Sequence, residues 1–94
     1  MTTDQFNISN FMYPIGMEDA TKELVGAFAT QLAFKLRKAE LKYGFSDSWK
    51  LDNWEEKCKE DLYKHLDKGD PIDVAAYCAF MWYHDWDTKK IEGS

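Results

Sequence analysis

The sequence has few cysteines, no long apolar run and no excess of positive charge, and each of these absences excludes a class of protein. Cys58 and Cys78 form no Cys-x-x-Cys pair, so we interpret them as reduced thiols of a cytoplasmic protein, with a disulfide as the less favoured alternative. No stretch approaches the roughly 20 apolar residues that span a bilayer, and residues 1–10 do not resemble a secretory signal. The sequence therefore predicts neither membrane insertion nor secretion.

The charge of the chain narrows the choice of partners. The formal net charge is −5 and there is no polybasic run, whereas binding to duplex nucleic acid requires an excess of lysine and arginine. A small anionic ligand is still compatible, because a few lysines or one helix N-terminus suffice to bind it. Aromatic residues make up 16% of the chain, which suits a packed core, a base-stacking site or a subunit interface.

Hydrophobic periodicity predicts a single all-α domain. An apolar N-terminal arm at residues 1–16 precedes the helical domain at 17–87, and a polar tail follows at 88–94. Helices are predicted at about 17–43, 53–68 and 71–87. The first helix carries a predicted buried face, with apolar residues at every third or fourth position: Leu24, Phe28, Leu32, Leu36, Ala39 and Tyr43.

Capping signals set the predicted ends of the other two helices. Asp52 is the predicted N-cap of the second helix, with Glu55 completing a capping box. Gly69 ends that helix, and Asp70 caps the third with Pro71 at its first position. The predicted buried stripe of the second helix comprises Trp54, Cys58, Leu62 and Leu66.

The third predicted helix is apolar on more than one side. Almost every position from Val74 to Trp86 is apolar or aromatic, and a helix that is apolar all round must be covered all round. Two other helices and an arm do not suffice for that, so the sequence predicts a homo-oligomer with this helix near the interface.

The most specific stretch runs from His65 to Cys78 and reads HLDKGDPIDVAAYC, with Lys42-Tyr43-Gly44 and Trp49 before it. This pattern resembles a motif of small phage and prophage helical proteins, KYG…W…HLxKGDPxDVAAYC, and the resemblance covers residues 42–86. It implies a phage-type protein that acts in the cytoplasm of an infected bacterium.

The arrangement is more distantly similar to the MazG-type all-α nucleotide pyrophosphohydrolases. Such enzymes hold Mg²⁺ with acidic residues on two helices, and the resemblance places Glu56, Glu60, Asp70 and Asp73 in those roles. The chain departs from that pattern, because its second helix carries Glu-x-x-x-Glu and Asp70 stands where a glutamate is usual. These departures favour binding over turnover. The carboxylates also have ordinary structural explanations as caps and solvated charges.

The turn between the second and third helices is the predicted ligand site. Backbone amides at a helix start, with lysines beside them, can bind a phosphate, and a nearby aromatic ring can stack on a base. The predicted ligand-binding residues are Tyr43, Trp49, Trp54, Lys64, His65, Lys68, Gly69, Asp70 and Asp73. The alternative is that these aromatic rings only close the core.

Three interpretations of function follow. The favoured one is a small phage-type protein that binds a phosphorylated nucleotide without turnover and sequesters a nucleotide immune signal of the host. It requires no cofactor. The alternatives are a MazG-like, Mg²⁺-dependent nucleoside triphosphate pyrophosphohydrolase and an oligomeric protein-interaction adaptor.

Overall fold

The computed structural model of the protein describes residues 13–44 and 47–91, and these residues form three α-helices and no strand. Helix α1 is Asp19–Tyr43, α2 is Glu55–Lys68 and α3 is Pro71–His84, and a short 3-10 helix at Ser48–Lys50 connects α1 to α2. The predicted all-α fold is therefore confirmed. None of the helices in this described part is long and apolar enough to cross a membrane. Most of the predicted arm, residues 1–12, lies outside the described residues, as do Phe45, Ser46 and residues 92–94.

The core is small and lies between α2 and α3. Cys58 and Leu62 of α2 pack with Met81 of α3, and all three side chains are almost completely buried. Half-buried apolar residues surround them, mainly on α3: Trp54, Val74, Tyr77, Cys78, Phe80 and Trp86. Helix α3 also packs against α1, so it is the helix that holds the domain together.

The turn between α2 and α3 has the predicted geometry. Gly69 has a φ of +84° and its amide donates to the carbonyls of His65 and Leu66, which ends α2. One carboxylate oxygen of Asp70 then accepts hydrogen bonds from the amides of Ile72 (2.9 Å) and Asp73 (3.4 Å). This is a side-chain N-cap, and it lets α3 begin without a linker.

The start of α2 differs from the prediction. The helix begins at Glu55, its N-cap position is Trp54, and no side chain caps it, so Asp52 is not the cap. A contact outside the helix accounts for this: the indole N–H of Trp54 donates to the carbonyl of Trp49, five residues earlier, at 3.2 Å. This bond holds the connection in a non-helical path up to Trp54, which has a φ of −131°.

The end of α3 also differs from the prediction, which placed it at residue 87. The helix ends at His84, and Asp85 takes the left-handed conformation with a φ of +62°. The amide of Trp86 then bonds back to the carbonyl of Met81 at 2.9 Å. The chain turns here because the Trp86 ring packs edge-on against Trp54, with centroids 5.7 Å apart, and so becomes half-buried.

Helix α1 is far more exposed than its apolar pattern predicts. It contributes no buried residue, and Leu24 and Tyr43 of the predicted buried face are 68% and 73% exposed. The reason is length: α1 has 25 residues and packs on α3, which has 14. Helix α3, in contrast, is covered over most of its length within one chain and exposes only Pro71, Trp82 and Tyr83.

Candidate functional site: an aromatic cleft between α1 and α3

A cleft of about 570 Å³ opens between the C-terminal half of α1, the 3-10 helix and the C-terminal half of α3. This volume is within the usual range for small-molecule sites, roughly 300–1,000 Å³. Glu40 and Ser48 are among its polar lining side chains, and Leu36 and Ala39 form part of its apolar wall. Five aromatic side chains also line it: Tyr43, Trp49, Phe80, Trp82 and Tyr83.

Trp49 is the best-anchored ring of the cleft. It stacks on Phe80 with centroids 5.7 Å apart and meets Tyr83 edge-on at 4.9 Å. Its backbone carbonyl accepts two hydrogen bonds, from the Trp54 indole N–H at 3.2 Å and from Nε2 of His84 at 2.6 Å. A carbonyl can only accept, so Nε2 of His84 carries the proton. Trp49 is therefore held in place from both its ring and its backbone.

A second row of rings lies behind this wall. Trp54 packs edge-on against Phe80 at 5.6 Å, and His84 stacks on Trp86 with centroids 4.1 Å apart. Edge-on and offset ring pairs are more stable than their buried area alone implies. The cleft wall consequently rests on a second layer of packed rings.

Two cations lie next to rings of the cleft. The ammonium of Lys42 is 5.1 Å from the centroid of Tyr43, and that of Lys50 is 5.8 Å from the centroid of Trp49. Cation–π contacts of this kind hold a lysine against a ring while leaving its ammonium hydrated. The cleft thus combines apolar walls with two lysines beside its rings and one carboxylate, Glu40, in its lining.

The turn between α2 and α3, the predicted ligand site, offers less to a phosphate. Pro71 has no N–H, and the amides of Ile72 and Asp73 already donate to the Asp70 carboxylate. That carboxylate also places negative charge at the helix start. Lys64 forms an ion pair with Glu60 at 3.2 Å on α2, and Lys68 is exposed.

The four carboxylates of the hydrolase hypothesis do not come together. Glu56 and Glu60 line one surface groove beside Lys59 and Lys64, whereas Asp70 lines a different one. Asp73 faces Lys35 and His65 instead. Within residues 13–44 and 47–91, no three His, Cys, Asp or Glu side chains are grouped as metal ligands would be. In the described residues the four carboxylates therefore do not converge on one point, because the two helices turn them toward different surfaces.

Asp73 instead links all three helices. It forms an ion pair with Lys35 of α1, and Nδ1 of His65 on α2 lies 3.4 Å from its Oδ2, a contact too poorly aligned for a hydrogen bond. The His65 ring also lies against Tyr77, with centroids 5.1 Å apart. Hydrogen bonding to Lys35 lowers the pKa of Asp73, and burial raises the pKa of the Tyr77 hydroxyl. This cluster positions helices rather than a ligand.

The cleft contains two of the predicted ligand-binding residues. Tyr43 and Trp49 line it, while Trp54 packs behind it and the predicted residues from Lys64 to Asp73 lie elsewhere. Sequence reasoning missed Phe80, Trp82, Tyr83 and His84. One signal could have found Trp82 and Tyr83: α3 carries adjacent aromatic residues over its last turns, so not all of them can face the core.

Comparisons with protein-family models, curated proteins and solved structures give no match to this chain. The functional assignment consequently depends on the geometry of the cleft.

Proposed function

We propose that the protein binds a phosphorylated nucleotide in the aromatic cleft and holds it without turnover. The observation that carries this proposal is the cleft itself, with five aromatic side chains along its walls and two lysines beside them. Every nucleobase has an aromatic face, and stacking one on an aromatic side chain is worth roughly 1–3 kcal/mol. Apolar cavities with a few polar groups are the usual form of such sites.

The exposed rings of the cleft supply the stacking surfaces. Trp82 is 69% exposed, Tyr43 is 73% exposed and Tyr83 is 44% exposed, so part of each ring is accessible to a ligand. Trp49 is half-buried and fixed, so it forms the inner wall. The Glu40 carboxylate and the Ser48 hydroxyl are among the polar groups that line the cleft and suit the edge of a base.

Lys42 and Lys50 are the groups assigned to the phosphates. Each flanks a ring of the cleft, so a base stacked there brings its phosphates within reach of an ammonium. Lysine binds phosphate as a mobile point charge, so it adapts to the position of the anion. The Lys50 ammonium also lies 3.8 Å from the Asp47 carboxylate. Such an exposed ion pair contributes little to stability, so Lys50 can leave Asp47 to bind a phosphate.

Binding without turnover agrees with the positions of the acids. Among the described residues that line the cleft, Glu40 is the one carboxylate, and it is 3.4 Å from Arg37. Mg²⁺-dependent hydrolysis of a triphosphate needs several carboxylates that converge on the phosphates. The resemblance to phage proteins adds the proposed role: removal of a host nucleotide signal by sequestration.

A second candidate, a protein-interaction module, is favoured by one observation. Trp82 and Tyr83 are large exposed rings on the same helix as the core residue Met81, and exposed aromatic residues are common at protein interfaces. In this alternative, the cleft takes an apolar side chain of a partner protein.

The test is incubation of the protein with a panel of cyclic and linear nucleotides, followed by native mass spectrometry and by calorimetry of the ligands found. We expect intact nucleotide in the complex, and weaker binding by about tenfold for Trp82→Ala and Tyr43→Ala. Leu66→Ala is the matched control, since Leu66 is an exposed apolar residue of α2 that does not line the cleft. Released pyrophosphate would restore the hydrolase alternative. If no nucleotide of the panel binds, the protein-interaction module becomes the favoured function.

A further inference from the structure

The outer face of α1 carries an exposed apolar stripe. Its members recur at intervals of seven residues, which is close to two helical turns, so they lie in one line: Ala20, Ala27, Phe34 and Leu41. Phe34 is 67% exposed and Leu41 is 61% exposed. None of the four lines the aromatic cleft. The outer face is therefore a second surface, separate from the proposed nucleotide site.

Side-chain size changes along this stripe. The N-terminal half of the outer face presents two alanines, and the C-terminal half presents a phenylalanine and a leucine. A surface that is small at one end and bulky at the other cannot pack evenly on a copy of itself in parallel. When the second helix runs antiparallel to the first, however, each bulky residue meets an alanine.

Charge changes in the same direction. The N-terminal part of α1 and its cap are mainly acidic, with Glu18, Asp19 and Glu23 against Lys22. The C-terminal part is mainly basic, with Arg37, Lys38 and Lys42 against Glu40, besides Lys35, which is paired with Asp73 of α3. Side by side in parallel, two such helices place like charges together. In the antiparallel arrangement, each acidic end faces a basic end.

We propose that the outer face of α1 binds a second copy of this chain, with the two helices antiparallel and the two-fold axis close to Thr30. In this register Phe34 packs on Ala27 of the partner subunit, and Leu41 packs on Ala20 of the partner subunit. Glu23 then lies at the level of Lys38 of the partner subunit, across the stripe. A two-fold interface is self-complementary, so every one of these contacts occurs twice.

We assign a second copy of the chain to this face because side-chain size and charge both change from one end of α1 to the other about the same point. Phe34 and Ala27 are equally far from the space between Thr30 and Gln31, and so are Lys38 and Glu23. Complementarity of a helix to its own reversed copy is what an isologous dimer requires. The pairing leaves the aromatic cleft open, so it stands whether or not the cleft binds a nucleotide.

Charge reversal tests the antiparallel register. We expect Glu23→Lys and Lys38→Glu each to raise the dissociation constant of the dimer about tenfold, measured by analytical ultracentrifugation, because each places like charges together twice. The double variant Glu23→Lys/Lys38→Glu restores the opposite-charge pairs, so we expect it to return to the parent value. The proposal would be overturned if the double variant forms no tighter a dimer than either single variant. It would also be overturned if the parent chain is monomeric at micromolar concentration.

A matched pair of leucine variants tests the stripe. Leu41→Gln should weaken the dimer about tenfold or more, whereas Leu66→Gln makes the same change at an exposed leucine of α2 and should leave it unchanged. Both residues are exposed in one chain, so circular dichroism should show the same helix content in both variants. Equal effects of the two substitutions on association would also overturn the proposal.

Discussion

The backbone carbonyl of Trp49 accepts a hydrogen bond of 2.6 Å from Nε2 of His84, which lies 35 residues further along the chain. This bond ties the 3-10 helix before α2 to the last residue of α3. The His84 ring is in turn stacked on Trp86, at a centroid distance of 4.1 Å. The shape of the aromatic cleft therefore depends on the end of α3 as well as on the residues that line it.

Replacement of His84 should loosen the Trp49 wall. We expect His84→Ala to weaken nucleotide binding about fivefold, because a neutral hydrogen bond contributes about 1 kcal/mol. It should also lower the melting temperature through loss of the stack on Trp86. His84→Gln keeps an N–H donor and should recover part of the affinity but not the stacking stability. If both variants bind as the parent does in calorimetry, the His84 contact does not shape the site.

Because of Asp73, the free energy of unfolding should decrease with falling pH in the acidic range. Lys35 lowers the pKa of Asp73 below its ordinary value of 3.8, so near that pH the unfolded chain binds more protons than the folded one. The stabilisation is complete above the ordinary pKa and is lost as pH falls through the lowered one. The stability advantage of the parent over Asp73→Asn, measured by urea unfolding, should shrink as pH falls below about 5, through the ordinary pKa and then the lowered one. Asp52→Asn, at an exposed aspartate, is the control; an equal pH dependence there would contradict this account.

The turn between α2 and α3 should be structural. Asp70→Ala removes the acceptor for two amides of α3 and should lower the free energy of unfolding by about 1 kcal/mol. Lys68→Ala, two residues away and exposed, should change neither stability nor nucleotide affinity, since the proposed site is the aromatic cleft. Chemical denaturation of both variants measures the free energy of unfolding, and calorimetry measures their affinity for the nucleotide. A loss of nucleotide affinity in Lys68→Ala would place the phosphates at the turn instead.

Cys58 should resist thiol reagents in the folded protein. Burial raises the pKa of its thiol to about 11, and its side chain has no exposed surface. At pH 8 about one thiol in a thousand is then ionised, and the thiolate is the reactive form. We expect labelling of Cys58 by a disulfide reagent, located by peptide mass mapping, only on unfolding. Rapid labelling of Cys58 under native conditions would show that the core between α2 and α3 opens easily.

Local sequence determined the helices of this protein and the turn between α2 and α3. The Gly69-Asp70-Pro71 sequence suffices for that turn, because a left-handed glycine, a side-chain cap and a fixed proline φ act within a few residues. The end of α1 at Gly44, where φ is +84°, has the same local cause. These features were predictable because their energies do not depend on the rest of the chain.

Tertiary structure alone decided where α2 begins, where α3 ends and which residues line the cleft. The Trp49 contacts with Trp54 and His84 override the cap expected at Asp52, and the packing of Trp86 on Trp54 ends α3 early. Periodicity also overestimated how much of α1 is buried, because a pattern shows which face is apolar but not whether a neighbour is long enough to cover it. Contacts between residues far apart in sequence assembled the cleft, and no local pattern encodes them.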